Sequence, residues 1–198
     1  MVKGQRKRQI LEVLAAELET HPGSRISTAG LASAVGVSEA ALYRHFPSKA
    51  RMFEGLIEFA EDTVFSLFNR VMSEQRDART RCLHLATALL KFAERNPGIA
   101  RVLMGDILTG EHERLRARVM QFYARVETQF RQALREANLE APDSLDSPTV
   151  AASAALLTAL VTGKVDAFVR SDFKQRPTAN WEDEWRRLCG GLFPAAAS

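Results

Sequence analysis

The sequence has few of the residues that mark a disulfide-rich, metal-binding or fibrous protein. Its 198 residues include two cysteines, 11 glycines and seven prolines. Cys82 and Cys189 stand far apart and form no C-x-x-C or C-x-x-H spacing, so neither a zinc site nor a dithiol redox motif is expected. We expect two plain thiols in a reducing compartment. Glycine and proline are also too rare for a collagen-like or disordered chain.

Long hydrophobic runs are lacking as well. The apolar, uncharged stretch of residues 150–163 is shorter than the roughly 20 residues that a membrane span requires, so we expect no integral membrane segment. The first eight residues are basic, but amphipathic sequence follows them rather than the apolar core of a signal peptide. We therefore expect a cytoplasmic protein.

The motifs of common enzyme classes are missing too. The sequence contains no G-x-x-x-x-G-K-[ST], H-E-x-x-H, G-x-S-x-G or G-x-G-x-x-G pattern, and its four histidines lie in separate segments. We expect that the protein is not an enzyme and that it uses no metal or cofactor.

Positive charge is present, and it is concentrated at one end of the chain. Residues 1–51 contain eight basic and four acidic side chains, a net charge of +4, whereas the whole chain has a net charge of +3. The remainder is therefore slightly negative. A basic end on an otherwise ordinary globular composition is typical of a protein with a nucleic-acid-binding head.

The hydrophobic pattern is helical from end to end. Ile10, Leu14 and Leu18 recur at helical spacing, and similar stripes follow along the chain without any competing strand pattern. Asn96, Pro97 and Gly98 are interpreted as a helix break, with a short helix starting at Ile99. We predict an all-α fold of about nine helices. Residues 1–51 would form a DNA-binding domain and residues 52–198 a helical body for dimerisation and partner binding.

Residues 27–46 have the spacing of a helix-turn-helix motif. A short helix over residues 28–34 is followed by a turn at Gly36 and Val37, and Ser38 then caps a third helix. This arrangement lets the third helix enter a major groove of DNA while the second braces it. The same pattern would also fit a small three-helix core that carries Tyr and His on its surface.

Each polar residue of the motif has an expected role. Ala40 and Ala41 are small enough for close approach to base edges, and Tyr43 and His45 are expected to hold phosphates. Arg44 could reach either a guanine edge or a phosphate. At the start of the second helix, Ser27 and Thr28 place hydroxyls and free backbone amides where a phosphate can bind, and Lys49 adds a positive charge at the start of the fourth helix. The predicted DNA-binding residues are Ser27, Thr28, Ser38, Glu39, Ala40, Ala41, Tyr43, Arg44, His45 and Lys49.

Residues 36–49, which read GVSEAALYRHFPSK, resemble the DNA-binding signature of the TetR family. Residues 51–53 (RMF), 56–62 (LIEFAED), 92–98 (FAERNPG) and 168–178 (FVRSDFKQRPT) are similar to the nucleoid occlusion factors of that family. The resemblance implies a homodimer that binds palindromic chromosomal DNA. It further implies that the DNA-bound dimer binds the C-terminal tail of the division protein FtsZ and blocks septum assembly over the nucleoid.

The resemblance also implies which residues bind that tail. In this family the tail lies in a groove between the fourth and fifth helices, and the matching positions are Phe59, Arg95 and Asn96. An aromatic anchor with a guanidinium and an amide suits an apolar, acidic peptide. Without the resemblance, residues 95–98 would fit an ordinary basic helix end followed by a stop signal.

A helix from Thr149 to Phe168 is apolar on more than one face, which requires burial on most sides. We predict that it forms a two-fold interface with the last helix, although an intrachain core would explain the same pattern. Paired recognition helices would then read half-sites about 34 Å apart in a palindrome. The predicted interface residues are Leu157, Val161, Val165, Phe168 and Trp185.

A repressor controlled by a small apolar ligand is the alternative hypothesis. Several phenylalanines of the body could line a ligand pocket, although such stripes more often form a core. No convergent polar group identifies a ligand. The phenylalanines concerned are Phe65, Phe68, Phe92, Phe122 and Phe130.

Overall fold

A computed structural model describes residues 3–21, 26–105, 113–140 and 147–193. These residues form nine α-helices and contain no strand, which confirms the predicted all-α fold. The helices are α1 (Lys3–Thr20), α2 (Thr28–Val35), α3 (Glu39–His45), α4 (Lys49–Glu74), α5 (Ala78–Arg95), α6 (Pro97–Met104), α7 (Glu113–Glu140), α8 (Ser147–Arg170) and α9 (Trp181–Leu192).

The chain divides into two compact units. The first contains Met1–Asp62 and Arg95–Met120, and the second contains Thr63–Glu94 and Gln121–Ser198. The predicted boundary between residues 51 and 52 differs from this division, because α6 and the start of α7 pack with the N-terminal helices rather than with the body. That boundary stays a proposal about which residues serve DNA binding.

The first unit is held together by a joint between α1 and α6. Gly98 packs so closely on α1 that a Cβ atom there would lie 2.0 Å from the carbonyl oxygen of Ala15. The buried guanidinium of Arg101 donates to the carbonyl oxygens of Leu18 (2.9 Å) and His21 (3.3 Å). A cation at this place also complements the negative end of the α1 dipole. Helix α1 is therefore fixed at its C-terminal end by a side chain far away in sequence.

The start of α6 corrects the predicted helix break. The sequence pattern placed the helix from Ile99, but α6 begins at Pro97, which occupies its first turn. Proline suits that position because the first helical amides have no intrahelical partner. Gly98 is therefore part of the helix, and its missing side chain serves the close approach to α1.

The core of the second unit is rich in aromatic residues. The ring centroids of Phe65 and Phe68 lie 5.7 Å apart, and those of Phe65 and Phe122 lie 5.5 Å apart. All five phenylalanines proposed above as pocket residues are buried side chains of the core. Both cysteines are free and buried, and burial raises the pKa of the Cys82 thiol to about 12, so this thiol stays protonated at neutral pH.

The residues predicted for the dimer interface need a correction. All five are at most 6% exposed within a single chain: Leu157, Val161, Val165, Phe168 and Trp185. Side chains that are buried to this extent within one chain have almost no surface left to contact a second chain. The apolar stripe of α8 thus belongs to the intrachain core, which was the other explanation of the pattern. The opposite face of α8 is exposed and consists of Ala152, Ala155, Leu156, Ala159 and Gly163.

By its length and composition, helix α8 is also apolar enough over Pro148–Arg170 to cross a membrane. Core helices of soluble proteins meet the same criteria. Its inner face is buried in the core of the second unit, to which it belongs, and Lys164 forms an ion pair with Glu184 of α9. We therefore interpret α8 as a core helix.

Candidate nucleic-acid interface and adjoining groove

The turn between α2 and α3 is built by caps within a few residues of each other. The Ser27 hydroxyl accepts a hydrogen bond from the Gly30 amide (3.0 Å), and the Ser38 hydroxyl accepts one from the Ala41 amide (3.2 Å). Gly36 ends α2 with a φ of 74°, a left-handed conformation that favours glycine. Each serine thus uses its oxygen for the cap and keeps its own O–H for another acceptor.

Helix α3 presents a polar surface on a buried base. Leu42 and Phe46 are buried, whereas Glu39, Ala40 and Arg44 are exposed and Tyr43 is 41% exposed. A helix with such an exposed face can protrude into a major groove while its base stays packed. The structure places the predicted base-reading and phosphate-binding residues of α3 together; their roles stay predictions.

Two of the predicted contact residues are bound to each other. The Thr28 hydroxyl donates to the Glu39 carboxylate at 2.9 Å, which ties the first turn of α2 to the first turn of α3. Because the Thr28 proton is used in this bond, Thr28 offers no second O–H to a phosphate. The bond indicates that this pair holds the two helices in register.

His45 and Lys49 are partly enclosed. The Nδ1 atom of His45 is buried and has no hydrogen-bond partner among the described residues, so Nε2 is the ring nitrogen left for a DNA contact. The Lys49 ammonium lies 5.4 Å from the centroid of the Phe53 ring, a cation–π contact that holds it at the start of α4.

A groove of about 710 Å³ lies in the same compact unit as the helix-turn-helix. The three residues predicted to bind a partner line it together: Phe59 from α4, Arg95 at the end of α5, and Asn96 before α6. Phe59 is 49% exposed, which is unusual for a large aromatic side chain. An exposed aromatic ring beside an arginine in a concave site suits a peptide with apolar and acidic residues.

Sequence reasoning missed one wall of this groove. Helix α1 lines it with residues of one face, including Arg8, Glu12 and Glu19. The charges at every third or fourth position of α1 were a possible signal, but only the fold shows that this face meets α4 and α6. The joint between Arg101 and α1 was missed because nothing local distinguishes Arg101 from a surface arginine.

Two family models match the chain. Residues 10–56 match "Bacterial regulatory proteins, tetR family", and residues 76–192 match "Tetracyclin repressor-like, C-terminal domain". Among solved structures, a TetR transcription regulator from Haloarcula marismortui has a TM-score of 0.76 at 15% identity and covers 96% of each chain. The regulator FadR from Bacillus subtilis, in complex with stearoyl-CoA, has a TM-score of 0.72 at 16% identity, covering 93% of this chain and 98% of its own. These similarities establish the TetR fold.

Curated relatives identify the family more closely. The nucleoid occlusion factors SlmA of Shewanella woodyi and Shewanella halifaxensis are each 54% identical over 180 residues, which cover 91% of this chain and 91% of each relative. The similarity therefore includes the body as well as the DNA-binding head. The chain belongs to the SlmA family of nucleoid occlusion factors, which are DNA-binding regulators of the TetR type.

Proposed function

We propose that this protein binds palindromic chromosomal sites as a homodimer and, on DNA, holds the C-terminal tail of FtsZ so that no septum assembles over the nucleoid. The observation that carries this proposal is the convergence of Phe59, Arg95 and Asn96 on one groove. The helix-turn-helix lies in the same compact unit. Such a protein acts in the cytoplasm, on the nucleoid.

The DNA-binding part of the proposal is supported by α3. Its exposed residues are small or polar, and the starts of α2 and of α3 itself are each capped by a serine side chain. We propose that Ala40, Ala41 and Arg44 meet base edges and that Tyr43, His45 and Lys49 hold phosphates. Binding should weaken steeply as salt rises, because phosphate contacts release counterions.

The homodimer is proposed to form through the exposed face of α8. Leu156 is 63% exposed there, and its neighbours Ala152, Ala155, Ala159 and Gly163 are small enough for a second helix to approach closely. Leu156→Glu should shift the protein from dimer to monomer in sedimentation velocity, whereas Met120→Glu, at a residue 72% exposed on α7, should leave the dimer intact. A dimeric Leu156→Glu variant would contradict this interface.

The groove is tested with a fluorescein-labelled FtsZ C-terminal tail peptide, titrated with the protein in the presence and absence of palindromic DNA. We expect saturable binding on DNA and a loss of about tenfold or more for Arg95→Ala, because the guanidinium is a charged anchor. Arg116→Ala removes an exposed arginine that does not line the groove and serves as the matched control.

The outcomes separate this proposal from the alternative. If the tail does not bind in either state, the protein is not an FtsZ-binding occlusion factor of this kind. Release of the DNA by small apolar ligands would then favour the ligand-controlled repressor. If Arg95→Ala and Arg116→Ala bind the tail as tightly as the parent protein, the tail binds elsewhere.

A further inference from the structure

Helix α1 forms a wall of the groove that also contains the residues that the family resemblance assigns to peptide binding. The residues of this wall lie three or four positions apart on one helix face: Arg8, Leu11, Glu12, Ala15, Ala16 and Glu19. From Arg8 to Glu19 the helix rises about 16 Å. That is the length of about five residues of extended peptide.

The middle of this wall is apolar. Leu11 and Ala15 are half-buried and line the groove together with the buried Leu56 and Ile99, while Phe59 has half of its surface exposed. Apolar surface that stays concave and exposed favours a ligand with apolar side chains, since its burial releases water from both sides.

The charged residues of the groove fall into two classes. Arg8 and Glu12 form an ion pair with each other at 2.8 Å. Arg95 and Glu19 are both exposed, and within the part of the chain that the structure describes neither side chain has a hydrogen-bond or ion-pair partner. The groove therefore offers one cation and one anion that do not neutralise each other.

We propose that Glu19 is a specificity-determining residue of this groove: its carboxylate binds a basic side chain of the docked FtsZ tail, while Arg95 binds an acidic one. The apolar lining of the groove, which includes Leu11, Ala15 and Phe59, contacts the apolar side chains of the tail. The inference rests on the proposed function and adds α1 to the binding site. Nucleic acid fits this wall poorly, because Glu12 and Glu19 would repel phosphates.

The test compares Glu19→Gln with Glu17→Gln on the DNA-bound protein. Glu17 is on the same helix but does not line the groove, and its carboxylate oxygen lies 3.4 Å from Nδ1 of His21. One probe is the labelled FtsZ tail, and the other is the same peptide with every Lys and Arg replaced by Gln. We expect Glu19→Gln to weaken binding of the natural tail about fivefold, as for a partly exposed ion pair. Glu17→Gln should change it less than twofold.

The two peptides form a double-mutant cycle that isolates the charge pair. On the Gln-substituted peptide, Glu19→Gln should cause no further loss, because the partner charge is already gone. If the parent protein binds the natural tail and Glu19→Gln binds it equally well, the inference is overturned and the proposed function stands. An equal loss on both peptides also overturns it. If Arg95→Ala and the parent protein alike fail to bind, both proposals fall.

Discussion

The DNA-reading helix and the groove beside it belong to one compact unit, but different kinds of contact hold them in place. Helix α3 is positioned by Ser38, which caps an amide three residues away, and by Glu39, which accepts a bond from Thr28. The groove is positioned by Gly98 and Arg101, whose contacts reach back to α1 across about 80 residues. The surface of α3 can therefore be changed by a mutation without disturbing the groove. The groove depends on contacts between distant segments, so a mutation in those contacts affects the whole unit.

This difference explains what the sequence could predict. Caps, a glycine turn and a helical period are local signals, so the start of α2, its end to within one residue, and the Ser38 cap of α3 followed from the sequence. The start of α6 was predicted two residues late, because Pro97 was interpreted as a breaker although it suits a first turn. Its true role depends on a contact with Ala15 that no local pattern shows.

The apolar helix α8 shows a second limit. Its hydrophobic period correctly indicated burial, but periodicity does not distinguish burial within a chain from burial between chains. Leu157 and Val161 proved to be intrachain core, and the exposed Leu156 lies on the other face. Phe59, Arg95 and Asn96 could be named only through the family resemblance, because they come from separate segments.

The largest effect is expected at the closest contact of the groove. In Gly98→Ala the new Cβ would lie 2.0 Å from a backbone oxygen of α1, so the two helices must separate. We expect the free energy of unfolding in urea to fall by about 3 kcal/mol. Gly4→Ala, where a Cβ meets nothing within 4 Å, should be neutral or slightly stabilising. Equal stability of both variants would show that α1 and α6 are not rigidly joined.

A smaller loss is expected for Arg101→Met. This variant keeps an unbranched, flexible side chain but removes the guanidinium that donates to the carbonyl groups of Leu18 and His21. We expect a loss of about 2 kcal/mol in unfolding free energy. Tail binding should also weaken in anisotropy titrations, because the α1 wall is less ordered before binding. Arg116→Met is the exposed control. If the two variants bind the tail equally well, the contact between Arg101 and α1 does not contribute to tail binding.

Ser38→Ala should weaken DNA binding and leave tail binding unchanged, in contrast to Arg101→Met. It removes the cap of α3, which costs about 1 kcal/mol of stability, and it should weaken DNA binding severalfold. Tail binding measured at saturating DNA should be unchanged, because the groove does not use this cap. Ser33→Ala, on the exposed surface of α2, is the control. If Ser38→Ala weakened tail binding even at saturating DNA, the two surfaces would not be separable.

The smallest effect is expected for Thr28→Val, which removes the hydroxyl but keeps the shape. Loss of the bond to Glu39 should lower stability by about 0.5 kcal/mol, as for an exposed hydrogen bond. DNA affinity, measured by anisotropy of a labelled palindrome, should fall less than threefold, since the Thr28 proton is already used. A loss greater than tenfold would mean that Thr28 contacts a phosphate directly.

The most direct test of the central claim is photo-cross-linking of the DNA-bound protein to FtsZ, with benzoylphenylalanine in place of Phe59. Met120, which is also strongly exposed, carries the same probe in the control protein. The account predicts a DNA-dependent cross-link between position 59 and the FtsZ tail, and none at position 120. Cross-links of equal yield at both positions, or none at position 59, would contradict the claim that this groove holds the tail.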